Sequence, residues 1–516
     1  QGKTILGSDN SKGSQCRLRP RRSIFSSRHY AGLYHHALRK VSQRTATRED
    51  TPLLGKTRNQ TGVSDRNGYP LNELKSKMTG QNNLSTRSHW LPFTANRQFH
   101  RDPRVIVEAN DCHFTSQHGR EIYDSLSGLW CSGYGHNRKE INEAVTKQLE
   151  TLDFAPSFQF THPGATELAD RLIEIVPTGL DHVLFANSGS ECADTSLKIA
   201  RAYWRMRGKP SKTRFIGRMK GYHGVNFAGT SLGGIGPNRR LFGQLGEADH
   251  LPHTLQPEFA FTKGQPNEGA HLANHLEQLI QLHDASNIAA VIVEPLSGSA
   301  GVIVPPLNYL NRLREICTEH DILLIFDEVI TGFGRLGEVF GSTAFNVTPD
   351  IMNVAKGLTN GVIPMGAVIC SSKIYDSFMM NDQPDHMIEL PHGYTYSAHP
   401  VACAAALASL DVMFDEDMIG KSQKLAPILE ETIHSLKGHK NVTDIRNFGM
   451  AAALQIAPRD GDPIVRPFEI GIRCWELGLY VRWGGDTLQF APPFISEESD
   501  IRRISATLAE AIDQIH

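Results

Sequence analysis

Two uninterrupted apolar runs, IAAVIV (288–293) and ILLIF (322–326), lie about a helix apart, and each is followed at once by a carboxylate, Glu294 and Asp327. A strand with no polar residue on either face has to be covered on both. Strands of parallel sheets read this way, with helices packed above and below. Between the runs, Leu310, Leu313 and Cys317 have helical spacing. Upstream, DHVLFANS (181–188) predicts a strand that runs into a helix, GSECADTSLKIARAYWRMRG (189–208), with Ala193, Leu197, Ala200 and Trp204 along one face. Right-handed crossovers would make these strands neighbours in one layer. The fold class expected is therefore α/β: a large domain on a mostly parallel sheet, with a smaller α/β domain that opens at the long helix VACAAALASLDVMF beyond Pro400.

The boundaries read from the chain are 1–77, 78–128, 129–398 and 399–516. The first stretch carries 16 Lys/Arg against 5 Asp/Glu and shows no period of two or 3.6, so it is expected to be a disordered leader. The chain starts at Gln1, and this stretch is read as upstream sequence ahead of Met78 rather than as a mitochondrial transit peptide, since its basic residues lack an apolar face. Residues 78–128 are expected to pack with the small domain. The remaining body is acidic, a poor match for a nucleic-acid backbone. No apolar run approaches 18 residues, which removes helical membrane spans. Eight cysteines without a CxxC pair suggest neither a disulfide framework nor a metal site, and a cytoplasmic location is expected.

Chemistry should gather at the carboxyl edge of the sheet, where ligands of open α/β folds bind. A charged residue that ends an apolar strand needs a partner or a ligand, which singles out Glu294 and Asp327. NSGSE (187–191) sets Ser188, Gly189 and Ser190 where a strand turns into a helix, a natural phosphate cradle. In GYHG (221–224), Tyr222 and His223 lie between glycines, and Tyr222 could stack on a planar ring. Lys356, in NVAKGLTNG (353–361), has no charged neighbour from Met352 to Gly361; desolvation of that kind lowers an amine's pKa and favours a nucleophile. A phosphate cradle, a stacking aromatic, a strand-end carboxylate and an isolated lysine are the parts that pyridoxal 5'-phosphate requires.

The segments VIVEPLSGSAGVIVPP, LLIFDEVITGFGRLG, AKGLTNGVIPMGAV and GYTYSAHPVACAAAL resemble the class III pyridoxal-phosphate aminotransferases of fold type I. More narrowly, HWLPFTANRQF (89–99), LWCSGYGHNRKEI (129–141), LETLDFAPSFQFTHP (149–163), NSGSE and VRWGGDTLQFAPPF (481–494) resemble the omega-amino acid:pyruvate, or beta-alanine:pyruvate, aminotransferases.

The resemblance implies that Lys356 is the Schiff-base lysine and Asp327 the partner of the pyridine nitrogen. Tyr222 would stack on the cofactor, Val329 would pack its other face, Glu294 would order the site, and Ser188, Gly189 and Ser190 would hold the phosphate; His223 is counted with the cofactor-binding residues. It further implies that Thr395 reaches the phosphate of a neighbouring subunit in a homodimer or dimer of dimers, and that Trp130 and Arg482 contact substrate. Arg482 would be the mobile binder of the acceptor carboxylate. The implied reaction moves an amino group from an omega-amino acid or amine to pyruvate, giving an aldehyde or keto product and alanine. A taurine or diamine transaminase, or an aminomutase, would keep the same cofactor residues. A nicotinamide dehydrogenase is set aside because SLGGIGPN (231–238) follows no apolar strand. Two departures from the family pattern stand out: Ser132 to Tyr134, beside Trp130, where asparagine and alanine are common, and Ala398 where glycine is usual.

Overall fold

The computed structural model describes residues 86, 88–379 and 383–515, so the expected leader 1–77 lies outside the described residues. The chain divides into two compact units, Gln1–Pro92 and Phe93–His516. In the first, the described residues form a turn in which the His89 amide donates to the Thr86 carbonyl at 3.1 Å. All the elements below belong to the second.

Three short strands, β1 (Ile106–Asn110), β2 (His113–Ser116) and β3 (Glu121–Asp124), open the unit, followed by helices α1 (Lys139–Thr151) and α2 (Pro163–Ile175). The central sheet then builds from β4 (Leu180–Ala186), β5 (Arg214–Arg218), β6 (Ala248–Leu251), β7 (Ile288–Val293), β8 (Leu323–Asp327), β9 (Ile351–Ala355) and β10 (Gly366–Ser371). Their order across the sheet is β4-β10-β9-β8-β7-β5-β6. From β6 to β9 each strand runs parallel to its neighbour. β10 lies between β4 and β9 and runs antiparallel to both. A fully apolar run such as AVIC carries no mark of its direction, so the sequence does not distinguish this strand from its parallel neighbours.

Every residue of β7, β8 and β9 is buried. Helix α3 (Gly189–Met206) covers them with the face its spacing predicts, burying Ala193, Leu197, Ala200 and Trp204. The Trp204 indole N–H donates to the Ala289 carbonyl at 2.8 Å and staples α3 to β7. Helix α4 (Tyr309–Glu319) packs Leu310, Leu313 and Cys317 into a second buried cluster that includes Val291, Leu324 and Phe326. Fully burying one Val, Leu or Ile is worth about 1.5–3 kcal/mol, so the register of these strands is held firmly enough to keep charged groups buried at their ends.

Beyond Pro400, α5 (Pro400–Asp415) and α6 (Met418–His434) precede β11 (Val442–Phe448), β12 (Ala451–Ile456), α7 (Val465–Glu476), β13 (Leu479–Tyr480), β14 (Arg482–Gly484), β15 (Thr487–Phe490) and α8 (Glu498–Gln514). A four-stranded sheet takes the order β11-β12-β15-β14, while β13 joins β3 in the amino-terminal sheet. Buried side chains of β4, β9 and β10 share one cluster with those of α5, α6, β11, β12 and α8. Among the described residues no helix is long and apolar enough to cross a membrane, and no group of His, Cys, Asp and Glu could hold a metal ion.

Candidate active site

The parallel arrangement brings the carboxyl ends of β4, β5, β7, β8 and β9 to one edge, and with them Ser188, Arg218, Glu294, Asp327 and Lys356. Asp327 ends β8 and is buried. One of its oxygens lies 2.8 Å from His223 Nδ1, and the other accepts the Val329 amide at 3.3 Å. His223 is buried as well, and its Nε2 has no hydrogen-bond partner among the described residues.

Glu294 follows β7 directly. Its Oε1 accepts the Tyr222 amide at 2.9 Å and its Oε2 the Gly298 amide at 3.2 Å. Burial, reinforced by the nearby Asp327 charge and opposed by His223, pushes its carboxyl up to about 7. The Tyr222 hydroxyl is likewise raised, mainly by burial and further by Asp327 and Glu294, with the Arg482 charge acting the other way. That charge belongs to the first residue of β14, so the third sheet comes within electrostatic reach of the site.

Lys356 comes directly after β9 with φ of 48°. That left-handed conformation is unusual for a long side chain and is held by the turn in which the Gly361 amide donates to the Lys356 carbonyl at 3.2 Å. Its amine makes no hydrogen bond or ion pair among the described residues. Burial pushes it below the ordinary lysine range against the pull of Cys131, Asp327 and Glu294, and Arg482 pushes it lower still.

Ser188 caps α3, its Oγ accepting the Glu191 amide at 3.2 Å, and the Ser190 Oγ accepts the Val225 amide at 3.2 Å. Both hydroxyl protons remain available at the helix's positive end. A Cβ on Gly189 would stand 2.8 Å from Val329 Cγ1, so only glycine lets the loop backbone approach Val329 this closely. The donor set fits pyridoxal 5'-phosphate: hydroxyls and amides at a helix start for a dianion, a carboxylate held by one histidine, a lysine without a partner, and Tyr222 and Val329 on neighbouring loops.

One expected residue stands apart. Thr395 is exposed and makes no hydrogen bond to Ser188, Gly189 or Ser190. Its segment does lie against α3 of the same chain, where the Tyr394 hydroxyl meets the Glu191 carbonyl at 3.3 Å and His392 Nε2 meets Thr195 Oγ1 at 2.9 Å. The sequence offers no reason for that return. Trp130 is almost wholly buried, with φ of 66°, and Arg335 lies 6.0 Å from its ring. Of the departures, Tyr134 turns into the core, its hydroxyl donating to the Phe333 carbonyl at 3.3 Å beside the Phe494 ring, so its bulk does not narrow the site.

Sequence reasoning missed Arg218 and Glu328. Arg218 ends β5 as Asp327 ends β8, so the rule that found the carboxylates would have found it. It is buried and donates to the Glu294 carbonyl and Ser297 Oγ, both at 2.7 Å. Glu328 is fully buried and accepts the Gly341 amide at 2.7 Å, the Ser342 amide at 2.6 Å and the Thr331 hydroxyl.

A family described as Aminotransferase class-III matches residues 94–512. The chain is 61% identical over 433 residues to a beta-alanine--pyruvate aminotransferase of Pseudomonas aeruginosa, covering 84% of this chain and 97% of that protein. It is 57% identical to an omega-amino acid--pyruvate aminotransferase of Pseudomonas putida, with the same two coverages. Among solved structures, an omega transaminase from Pseudomonas jessenii in complex with PMP superposes with a TM-score of 0.79 at 33% identity, covering 84% of this chain and 98% of that one.

Proposed function

The chain belongs to the class III aminotransferases, and from that premise we propose that it moves the amino group of an omega-amino acid or amine of the beta-alanine kind to pyruvate, giving an aldehyde or keto product and alanine. The observation that carries the reading is that Asp327, buried against His223 at the end of β8, and Lys356, directly after β9, come to the same edge of the sheet, with the Arg482 charge of the third sheet within electrostatic reach. When bound, pyridoxal 5'-phosphate supplies an aldehyde and an electron-accepting ring.

The residues divide the remaining work. Ser188, Ser190 and the Gly189 amide hold the phosphate at the start of α3. Asp327, oriented by His223, holds the proton on the ring nitrogen. Tyr222 and Val329 would pack against the ring, and Glu294 fixes the Tyr222 backbone by accepting its amide. Lys356 would hold the cofactor through Nζ and, when free, would accept and return a proton at that atom; an amine pushed down by burial is suited to that transfer. Arg482 grips the acceptor carboxylate through two charge-assisted hydrogen bonds, and Trp130 walls the pocket. A second copy of the chain supplies Thr395 to the phosphate, in a homodimer or dimer of dimers. The described cysteines are all free, which supports a cytoplasmic setting.

A panel of amine donors with pyruvate, scored by alanine formation, tests the reading. Beta-alanine should give alanine. No alanine from any omega-amino donor would move the chain to another reaction of the family.

A further inference from the structure

The segment between β8 and β9 holds a buried arginine that the functional reading above does not use. Arg335 sends every hydrogen bond to an uncharged oxygen: Nη1 donates to the Met450 carbonyl at 3.1 Å and the Pro492 carbonyl at 2.9 Å, and Nη2 to Ser127 Oγ at 3.0 Å. Its guanidinium also stands over two rings, 4.6 Å from Phe494 and 6.0 Å from Trp130. No carboxylate hydrogen-bonds this buried charge, and the Asp124 carboxylate acts on it only through space, so carbonyl dipoles and aromatic faces share in holding it.

What these contacts join is specific. Ser127 passes the link on, its hydroxyl donating to the Ala491 carbonyl at 2.7 Å. The Ala491 amide donates to the Ser125 carbonyl and the Phe494 amide to the Gly133 carbonyl, both at 2.7 Å. The loop 125–133, which carries Trp130, is thereby clamped to the stretch 491–494, with the Arg335 guanidinium between them. That stretch continues directly from β15, where Gln489 pairs with Arg482 of β14. Trp130 sits at positive φ, a conformation its own backbone does not favour and its surroundings must impose.

We propose that Arg335 is a positioning residue for donor length. By clamping the Trp130 loop to the stretch that follows β15, it sets the separation between the Trp130 ring and the Arg482 guanidinium, and with it the length of carboxylated amine the site accepts. The inference rests on the reading of Trp130 and Arg482 as substrate contacts. Lysine should not substitute, because a single ammonium lacks the planar fork that reaches three acceptors and lies flat on a ring.

The test uses the full-length holoenzyme with linear omega-amino acids of increasing chain length and pyruvate as acceptor. Wild type should prefer one length. In Arg335→Lys, KM at that length should rise about tenfold and the preference should flatten or move, with kcat changed less than about threefold and cofactor absorbance retained. In a Trp130→Ala background, the same substitution should add less than about twofold, because the two act as one unit. Equal loss for every donor length, alongside a lowered melting temperature, would mean a purely structural role and overturn the proposal. So would full multiplication of the two effects in the double variant. Should Arg335→Lys fold poorly, Ser127→Ala, which removes one acceptor of the clamp, should flatten the preference to a smaller degree, and an unchanged profile there overturns the idea. A wild type that forms no alanine from any donor overturns the functional reading as well.

Discussion

Lys356 combines partial burial, a left-handed backbone and an amine with no hydrogen-bond partner among the described residues, each of which costs stability and none of which a packing role would require. Lys356→Ala should therefore fold at least as well as wild type and lose at least about a thousandfold in turnover, while still taking up cofactor without a covalent bond. Borohydride reduction of wild type should leave the cofactor on the peptide that contains Lys356; its appearance on another lysine would refute the assignment. Glu294 gives a second prediction, on pH. Its carboxyl lies at about 7 in the folded chain against an ordinary 4.5. Between those values the folded state holds a proton that the unfolded state has released, so this group's contribution is full below about pH 4.5 and fades as pH rises through 7, by roughly 3 kcal/mol. Glu294→Gln mimics the neutral form. Its melting temperature relative to wild type should rise from pH 5 to pH 8 in the cofactor-free protein, and a difference that stays flat would show that the carboxyl does not titrate there. At this scale the sequence was most legible where charge met apolar runs. Tyr134 was not legible, because nothing local tells whether a side chain beside Trp130 turns inward. Ala398 is informative in retrospect: its φ of 53° explains why glycine is usual there.

The strands and helices that position the site follow from periodicity alone, since IAAVIV, ILLIF and the Ala193–Trp204 stripe state their burial directly. What periodicity cannot state is partnership. Nothing in GAVICS specifies the antiparallel insertion of β10, and nothing in RWGGDTLQF says that the β14–β15 hairpin brings the Arg482 charge within electrostatic reach of Tyr222. That hairpin carries a prediction. Arg482→Ala should slow the pyruvate half-reaction, where a charge-assisted pair worth about 1.5–3 kcal/mol is lost, more than that of a simple monoamine with no carboxylate to bind. Single-turnover kinetics should separate the two by at least about tenfold; equal damage would mean that Arg482 braces the hairpin instead. The loop after β8 carries another. Glu328 ties its two ends together by accepting the Gly341 and Ser342 amides, so Glu328→Ala leaves buried donors unpaired. It should cost at least about 3 kcal/mol in denaturant unfolding, and a loss below about 1 kcal/mol would show that the loop closes without it.

At the scale of the whole molecule, the proposed supply of Thr395 from a second copy calls for a surface that a second copy could cover. Thr395 is exposed, and so are aromatic side chains of two adjoining segments, Phe158 at 55% and Phe160 at 68% in one and Tyr396 at 57% in the other. The segments brace each other: Ser157 Oγ donates to the Ser397 carbonyl at 2.7 Å, and the Phe154 and Tyr396 rings meet edge-on at 5.9 Å. APSFQF (155–160) is irregular and outward-facing rather than a core strand. Aromatic surface of this kind beside α3, whose first turn is the phosphate cradle, is suited to burial against a second copy, and two-fold dimers are the commonest closed assembly. If each site draws Thr395 from the other chain, a Lys356→Ala chain and a chain inactivated at Thr395 should complement each other. A mixed dimer holds one site in which Lys356 and the opposing Thr395 are both intact, so activity should return to about a quarter of wild type after random mixing in equal amounts, since half of the dimers are mixed and each has one good site of two. The Thr395 substitution has to be one that abolishes activity alone, such as a bulky acidic residue set against the phosphate. No recovery despite mass-verified mixed dimers, or a fully active monomer in sedimentation, would sink the shared site.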